Sequence, residues 1–495
     1  MSRHAHAQCC SCLMSRRCFL GAVSAAAAGG VIAASPAAAA PDPVGLKEYV
    51  DLSEFRPRPE VRILGAIVRR PPPYWLGWPG TAYDVEGHRK EYILKTSDAA
   101  QRIGATLTHV EQPLEDDAAV NAFIARVTAE KPDAVLLILQ HFEAWGHVDA
   151  IAKAGLPTII FSPIGMAFTG HVLEISRRPG VHVISSLEMA AVEQAFRMVR
   201  ARKQLAASRL LVVAGNERKD EAIDGLGTAV RYVPRDTMHL LFEQMPVTDE
   251  VHEVAGLMKR GAKKIVEPSD EDLLNSARSF VTAKRLLKDE QCNGLTTDCL
   301  GMVSSRAVPT PPCMAATMFQ DGGITYGCEA DVFGAVSLML SSYLFDKPGF
   351  MNDPVPETYK NVLIAAHCTS GTRLHGFDAK PEPYILRSHS ESNIGVATQV
   401  LWKKGQKVTL VRFTGPAEVI VDTGTIVGNV NTPPAGGCRT SIEIDMDRVD
   451  DVRDVRGFHQ VVFYGNHRRD VEAFCQMYGM KAVHSPQHPP EPTTA

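Results

Sequence analysis

The fold is decided by the stretch Ile324-Thr-Tyr-Gly-Cys-Glu329-Ala-Asp331-Val-Phe-Gly-Ala-Val-Ser-Leu-Met-Leu-Ser-Ser-Tyr-Leu-Phe345, which joins a short apolar strand to an apolar helix. We expect the strand to end at Gly327 and the helix to run from Asp331 to Phe345, buried on most of its surface. The connecting turn carries two carboxylates, Glu329 and Asp331. Open α/β sheets bind ligands at the carboxyl ends of their strands. The stretch therefore predicts an α/β fold with a polar site at this turn.

Upstream of this stretch, apolar strands alternate with helical segments, which is typical of parallel sheets covered on both faces. We predict two Rossmann-like parallel α/β domains, one over residues 41–186 and one over residues 187–346. The expected strands are Val61–Val68, Ala134–Leu139 and Thr158–Phe161 in the first domain and Leu210–Ala214 and Cys292–Thr296 in the second. The expected helices of the second domain include Asp249–Arg260 and Asp270–Lys288.

The pattern changes after Pro348. Apolar and polar residues alternate at Lys407–Phe413 and Ala417–Asp422, between Gly and Pro turns, and this indicates antiparallel strands. We therefore predict a C-terminal antiparallel β-rich domain over residues 347–484, with one helix near Arg468–Tyr478. The proline-rich residues 485–495 are expected to form a disordered tail.

The first 40 residues have the features of an export signal. The run Ser15-Arg16-Arg17-Cys-Phe-Leu-Gly21 precedes an alanine-rich apolar stretch, as in twin-arginine signal peptides. Cleavage is expected after Ala39 or Ala40, and an uncleaved anchor is the alternative. We therefore expect a periplasmic or other extracytoplasmic protein. No later segment is apolar enough to span a bilayer, so no membrane span is expected after cleavage.

Charge and cysteine content narrow the function further. The formal net charge is −4 and no basic stripe with interleaved aromatic residues occurs, which argues against nucleic acid as a partner. Seven cysteines follow the signal: Cys292, Cys299, Cys313, Cys328, Cys368, Cys438 and Cys475. Their spacing fits neither a zinc ribbon nor a disulfide framework, and most are expected to be buried small apolar side chains. Cys313, Cys328 and Cys368 lie near the proposed site, which leaves a redox role open.

Two imidazoles accompany the carboxylates. His367 ends the strand Asn361-Val-Leu-Ile-Ala-Ala-His367, and His459 stands in Gly457-Phe-His459-Gln-Val-Val-Phe. Carboxylates with imidazoles suit a divalent metal. Asp331 could instead cap the helix, because a carboxylate there accepts hydrogen bonds from free backbone N–H groups. Two weaker candidates, His141 and Asp298, follow predicted strands. Two others, His389 and Glu391, belong to a segment that forms either the wall of a sugar pocket or a solvated hairpin.

At residues 322–368 and 455–480 the chain resembles L-fucose/L-arabinose isomerase-type proteins. These regions make up about a sixth of the sequence and include Gly327-Cys-Glu329-Ala-Asp331 and Phe458-His459-Gln-Val-Val-Phe-Tyr-Gly. The resemblance implies two α/β domains followed by a β-rich domain. It also implies a monosaccharide substrate, a divalent metal, expected to be Mn²⁺, and a homo-oligomer in which neighbouring subunits complete the site.

The resemblance assigns roles position by position. Glu329, and secondly Asp331, match the segment that carries a catalytic, metal-binding carboxylate. The stretch Pro348-Gly-Phe-Met-Asn-Asp353 resembles the place of a second catalytic glutamate, which is absent here, and Asp353 is the nearest substitute at a shorter reach. His367 is similar to the histidine that these isomerases place near the metal. His459 is similar to the histidine ligand that their C-terminal domain supplies. The resemblance thus implies catalytic Glu329 and Asp353, metal ligands Glu329, Asp331 and His459, and a contact from His367 to the substrate. His389 and Glu391 are the further expected substrate contacts, from their position in the sequence alone.

The implied function is a metal-dependent aldose–ketose isomerisation through an enediol, in which one group takes the proton from carbon while another manages the hydroxyl protons. An epimerase or lyase that uses the same enediolate stays open. The competing class is an exported sugar-binding protein that kept the fold and lost catalysis, which the absent glutamate favours. A redox protein is a third reading, disfavoured because no CxxC follows the signal.

Overall fold

The computed structural model describes residues 51–75, 78–430 and 437–486. The predicted twin-arginine signal, residues 1–40, lies outside these ranges, and so does the predicted tail beyond residue 486. Within the described ranges, no helix combines the length and apolar character needed to cross a membrane.

The first part of the chain forms a five-stranded parallel sheet. Its elements are β1 Arg62–Val68, α1 Val85–Arg102, β2 Thr106–His109, α2 Asp117–Glu130, β3 Ala134–Leu139, α3 Trp145–Ala152, β4 Thr158–Ser162, α4 Thr169–Ile175, β5 Val181–Ser185 and α5 Met189–Ala207. The strand order is β2-β1-β3-β4-β5. All six residues of β3 are buried, because Leu136 packs into the core that contains Phe196 while Leu137 packs into the core that contains Val148. This burial on both faces explains the continuous apolar run in the sequence.

A second sheet follows. Its region contains β6 Arg209–Val213, β7 Lys219–Ile223, β8 Thr228–Val233, α6 Asp236–Gln244, α7 Asp249–Gly261, β9 Lys264–Ile265, α8 Asp270–Asp289, β10 Gly294–Thr297, α9 Cys299–Ser304, α10 Cys313–Asp321, β11 Tyr326–Gly327 and α11 Val332–Phe345. The order is β11-β10-β6-β8-β7. Four of these strands are parallel, and β7 runs antiparallel to β8 at the edge. Charged, exposed residues on β7 suit an edge strand.

Helix α11 is buried along most of its length, as predicted. Residues 334–345 are all buried, and only the first turn is partly exposed. Asp331 is the N-cap, and its Oδ1 accepts from the backbone N–H of Gly334 at 2.8 Å. Further along, Ser337 Oγ accepts from the backbone N–H of Phe413 at 2.8 Å. The helix therefore joins the second sheet to the C-terminal strands and holds its first turn in place.

The C-terminal part is an antiparallel barrel. The elements are β12 Phe350–Glu357, β13 Val362–His367, β14 Tyr384–Arg387, β15 Ala397–Val400, β16 Lys407–Gly415, β17 Glu418–Asn429, β18 Thr440–Met446, β19 Gln460–Tyr464, α12 Arg468–Met477 and β20 Lys481–Val483. Six strands follow the order β16-β19-β12-β13-β18-β17, and β17 pairs back onto β16 to close the ring. Trp402 packs near its centre, 5.0 Å from the ring of Tyr464 and 5.7 Å from that of Phe350. The predicted fold class, parallel α/β sheets followed by an antiparallel β-rich region, is confirmed.

A small sheet links distant parts of the chain. Strand β14 pairs antiparallel with β15 and parallel with β9, so Leu386 lies opposite Ile265. This pairing crosses the predicted domain boundary at residues 346 and 347. The domain limits themselves stay predictions. At the C-terminal limit, Ser485 donates its hydroxyl to Asp422 at 2.7 Å.

Candidate metal and active site

Glu329 lies in a tight turn between β11 and α11. Glu329 and the following Ala330 both adopt left-handed backbone conformations, with φ of 57° and 56°. The backbone N–H of Ala330 donates to the carbonyl of Thr297 at 3.0 Å, and that of Asp331 donates to the carbonyl of Cys328 at 3.1 Å. Such conformations cost about 1–3 kcal/mol each and concentrate at functional sites. The turn thus presents Glu329 at the carboxyl end of the second sheet.

Three neighbouring barrel strands supply the other polar groups. Asp353 lies on β12, His367 ends β13, and His459 directly precedes β19 with a left-handed φ of 52°. The order β19-β12-β13 places β12 in the middle, with Asn352 opposite Gln460 and Asp353 opposite Ala366. Strand pairing therefore brings one carboxylate and two imidazoles to the same end of the barrel.

Glu329, Asp353, His367 and His459 form one group, in which a donor atom from each residue lies within 4.8 Å of the others. His459 Nε2 is 3.3 Å from both Glu329 Oε2 and Asp353 Oδ1, and His367 Nε2 is 3.7 Å from Glu329 Oε1. His459 Nε2 and Asp353 Oδ1 are buried and make no hydrogen bond. Buried polar atoms normally have partners. Here two buried atoms without partners, one nitrogen and one oxygen, lie close to each other and to the other possible ligand atoms of the group. This arrangement fits a divalent cation bound by oxygen and nitrogen atoms.

Asp331 holds His459 from the opposite side. Its Oδ2 lies 2.8 Å from His459 Nδ1, and Arg412 contacts both carboxylate oxygens, at 2.7 and 3.1 Å. An ionised carboxylate only accepts hydrogen bonds, so Nδ1 carries a proton and Nε2 of the neutral ring keeps its lone pair. Metal-ligating histidines commonly have such a carboxylate partner. Asp331 lies outside the group of four, so this geometry favours a positioning role over direct ligation.

The charges in the site stabilise one another when no cation is present. His367, and secondly His459, lower the pKa of Glu329 to about 2. Burial opposes the charged form of His459, but Asp331, Asp353 and Glu329 outweigh it and raise the pKa of that imidazole to about 11. The carboxylates thus attract a positive charge at Nε2, which a bound cation would supply in place of the proton.

A narrow cavity of about 40 Å³ opens beside the group. Its wall includes Glu329, Asp353 and His367, the two predicted substrate residues His389 and Glu391, and five cysteines. The apolar part of the wall is formed by Leu300, Val303, Pro311 and Pro312. Among the described lining residues there is neither lysine nor arginine. The cavity has room for an ion with one or two waters.

Most of the predicted site residues lie together at the site, and two of the weaker candidates lie away from it. The structure brings together Glu329, Asp353, His367 and His459 and places His389 and Glu391 on the same cavity. Asp298 instead caps α9 and pairs with Arg235, and His141 is fully buried after β3, where its Nδ1 accepts from the backbone N–H of Glu143.

Arg412 was not predicted. Cys313, Cys328 and Cys368 were expected near the site and line the cavity, whereas the presence of Cys299 and Cys438 beside them was not predicted. The sequence did contain one signal for Arg412, which is the arginine inside the apolar strand segment Val408–Phe413. A largely buried charge in such a strand requires a partner.

Comparison with known proteins agrees with this chemistry. No protein-family model matches the chain. Sulfoquinovose isomerase from Clostridium sp. (strain MSTE9) is 25% identical over 199 residues, which cover 37% of this chain and 44% of that protein. The match therefore spans less than half of the relative. A possible metal site of carboxylates and imidazoles thus occurs in a chain that is similar to a sugar isomerase.

Proposed function

We propose that the protein is a metal-dependent isomerase that interconverts an aldose and a ketose. The observation that carries this proposal is the group of Glu329, Asp353, His367 and His459, in which His459 Nε2 and Asp353 Oδ1 are buried without hydrogen-bond partners. The similarity to a sugar isomerase supports the reaction class. The identity of the metal, the class of sugar and the cellular compartment are also proposed.

Glu329, Asp353 and His459 would hold the cation, with His367 on the side of Glu329. We propose Mn²⁺, since mixed carboxylate and imidazole ligands suit it. When bound, the cation supplies Lewis-acid polarisation of the two substrate oxygens and so favours loss of the proton from the adjacent carbon. The donor set of two carboxylates, two imidazoles and unpaired atoms fits such an ion.

The protein's own groups hold and move the protons. Isomerisation moves a proton between two neighbouring carbons and another between their oxygens. Glu329 is ionised at neutral pH, since its pKa is lowered to about 2, and we propose that Glu329 and Asp353 divide the two transfers. His367 Nε2 lies 3.7 Å from Glu329 Oε1, and we propose that it donates to a substrate oxygen. Asp331 keeps the Nδ1 proton of His459 in place throughout.

The residues of the cavity wall indicate which class of sugar to propose as the substrate. His389 and Glu391 can hydrogen bond to hydroxyl groups, and Leu300 and Val303 offer apolar contact. A sugar with an anionic substituent would meet neither lysine nor arginine among the described lining residues. We therefore propose a neutral monosaccharide, and we retain the proposals of export through residues 1–40 and of a homo-oligomer.

The test is deuterium incorporation at the carbon next to the carbonyl, measured in deuterated water with Mn²⁺. The panel contains pentoses, 6-deoxyhexoses and, because of the relative's name, sulfoquinovose. We expect exchange that requires both Mn²⁺ and Glu329, and Glu329→Gln should abolish it because an amide cannot accept the proton. Glu357→Gln, on strand β12 but outside both the group of four and the cavity wall, is the matched control. Unchanged turnover in Glu329→Gln would refute the assignment. Sugar binding without exchange in the folded, Mn²⁺-loaded protein would favour the sugar-binding alternative.

A further inference from the structure

Thiols are concentrated on one wall of the metal cavity. Of the seven cysteines in the described residues, all of them outside disulfides, five line this cavity: Cys299, Cys313, Cys328, Cys368 and Cys438. Cys299 and Cys328 lie on the same wall. Cys368 packs in one small buried cluster with Cys313, and Cys438 packs against that cluster. Burial of apolar side chains does not require thiols to gather in this way, so the arrangement needs its own explanation.

Cys368 and Cys438 lie just beyond the ends of two paired strands and belong to one packed cluster. Strands β13 and β18 are antiparallel neighbours, with His367 opposite Thr440. Cys368 directly follows His367, and Cys438 lies two residues before Thr440. The strand spacing and the rise per residue put two such positions about 6 Å apart between their Cα atoms. This separation is within the range that a disulfide spans.

The arrangement of the thiols favours disulfide chemistry over a thiolate metal site. Structural zinc and iron–sulfur sites gather four protein donors, which are thiolates alone or thiolates with imidazoles. Within the described residues, the donors that gather in a set of three or more are the carboxylates and imidazoles around Glu329, and the set contains no sulfur. A pair of adjacent thiols is the arrangement that two-electron oxidation requires.

The two thiols differ in access. Cys438 is partly exposed, whereas Cys368 is buried. A small oxidant that enters the cavity therefore reaches Cys438 first. Hydrogen peroxide has nearly the size of water and fits a space of about 40 Å³.

We propose that Cys438 and Cys368 are a redox modification site, which a peroxide converts into a reversible disulfide beside the metal group. One of the two thiolates attacks peroxide, the O–O bond of the peroxide breaks, hydroxide leaves, and that cysteine becomes a sulfenic acid. The other thiolate then attacks the sulfur of the sulfenic acid and displaces a second hydroxide. The two thiols lose two electrons and two protons, and one peroxide yields two waters. A thiol reductant reverses the change by exchange.

The disulfide would alter the cation site, and this part of the inference rests on the proposed function. Bond formation brings the two sulfur atoms to about 2.05 Å and shifts the strand end that carries His367. Cys368 is covalently next to His367, so the imidazole moves with it. We expect Mn²⁺ affinity to fall at least tenfold on oxidation and to return on reduction.

The experiment treats the reduced, metal-free protein with one equivalent of hydrogen peroxide, blocks the remaining thiols, and maps disulfides by peptide mass spectrometry. Mn²⁺ affinity is measured by calorimetry before oxidation, after it and after reduction. A Cys368–Cys438 peptide that disappears on reduction, with the matching changes in affinity, supports the proposal. In Cys438→Ser that peptide must be absent. Cys475→Ser, a buried cysteine away from the cavity, is the matched control and should behave as the parent protein.

Three results would overturn the inference: both thiols still reduced after peroxide, a Cys313–Cys368 disulfide in their place, or an oxidised pair with unchanged Mn²⁺ affinity. The mapping needs neither metal nor sugar. If the reduced protein fails to bind Mn²⁺, the proposed function fails, while the mapping still decides whether this pair forms a disulfide.

Discussion

Replacing Asp331 with asparagine tests whether this residue sets the state of His459. The carboxylate accepts hydrogen bonds from Gly334, Arg412 and His459 Nδ1. Asparagine keeps the shape but has one acceptor oxygen, so its NH₂ group must face a donor on Arg412 or on His459. If it faces His459, the ring can move its proton to Nε2, the atom that faces the proposed cation.

The structure sets the size of the effect. The side chains of Asp331 and Arg412 are 18% and 15% exposed, so their ion pair is largely buried. Breaking a buried pair costs about 3–5 kcal/mol, and we expect the lower end, about 3 kcal/mol of unfolding free energy, because some solvent reaches both groups. Loss of a carboxylate partner behind a histidine ligand typically weakens metal binding about 10–100-fold. That factor corresponds to about 1.4–2.8 kcal/mol of Mn²⁺ binding.

The assay is calorimetric Mn²⁺ titration, with urea unfolding to confirm that each variant is folded. Asp298→Asn is the matched control, since Asp298 is also an N-cap that accepts from a glycine N–H and pairs with an arginine, but it lies outside the group of four. We expect the control to keep its Mn²⁺ affinity. Equal affinity in Asp331→Asn would refute the positioning role, and a loss far above 100-fold would make Asp331 a direct ligand.

The remaining predictions concern the group of four. Asp353→Asn should lower Mn²⁺ affinity by at least about tenfold in calorimetry while Glu391→Gln leaves it unchanged, because only the first removes a proposed ligand. In chelator-treated protein, the stabilisation from protonated His459 should be complete below pH 6.5 and be lost as the pH rises toward about 11, because folding raises this pKa. Urea unfolding from pH 6 to 10 checks this against His459→Gln, which should lack that component; equal pH dependence would contradict it. Mn²⁺ at 100 times its dissociation constant should stabilise the fold by about 2.7 kcal/mol, read as a rise in Tm that Glu329→Gln abolishes.

Local sequence patterns predicted most strands and helices because their periodicity reflects local burial. The strand Ala134–Leu139 agrees at both ends, and the helix predicted from Asp331 begins one residue later, at Val332, because Asp331 is its cap. Closure of the barrel through the pairing of β16 with β17, and the pairing of β9 with β14, were not predicted. Such contacts join segments far apart in the sequence, and periodicity carries no information about which edges meet.

In the site too, residues recognisable from local sequence were predicted, whereas contacts between distant segments were not. Glu329 and His459 were identified because each lies beside a strand or helix end, and the left-handed φ values at both positions agree with a functional constraint. The contact of Asp353 with His459 depends on which strands are neighbours, so the predicted ligand set contained Asp331 in its place. The grouping of Cys368 with Cys313 and Cys438 depends on three separate chain segments in the same way.

The position of Glu329 has a consequence for how the protein unfolds. This carboxylate comes from the turn before α11, whereas Asp353, His367 and His459 come from three barrel strands. A cation bound to all of them would close a long loop of chain between the two parts and would penalise states in which one part opens alone. The loaded protein should then unfold in a single cooperative transition, in which the barrel and the α/β region open together.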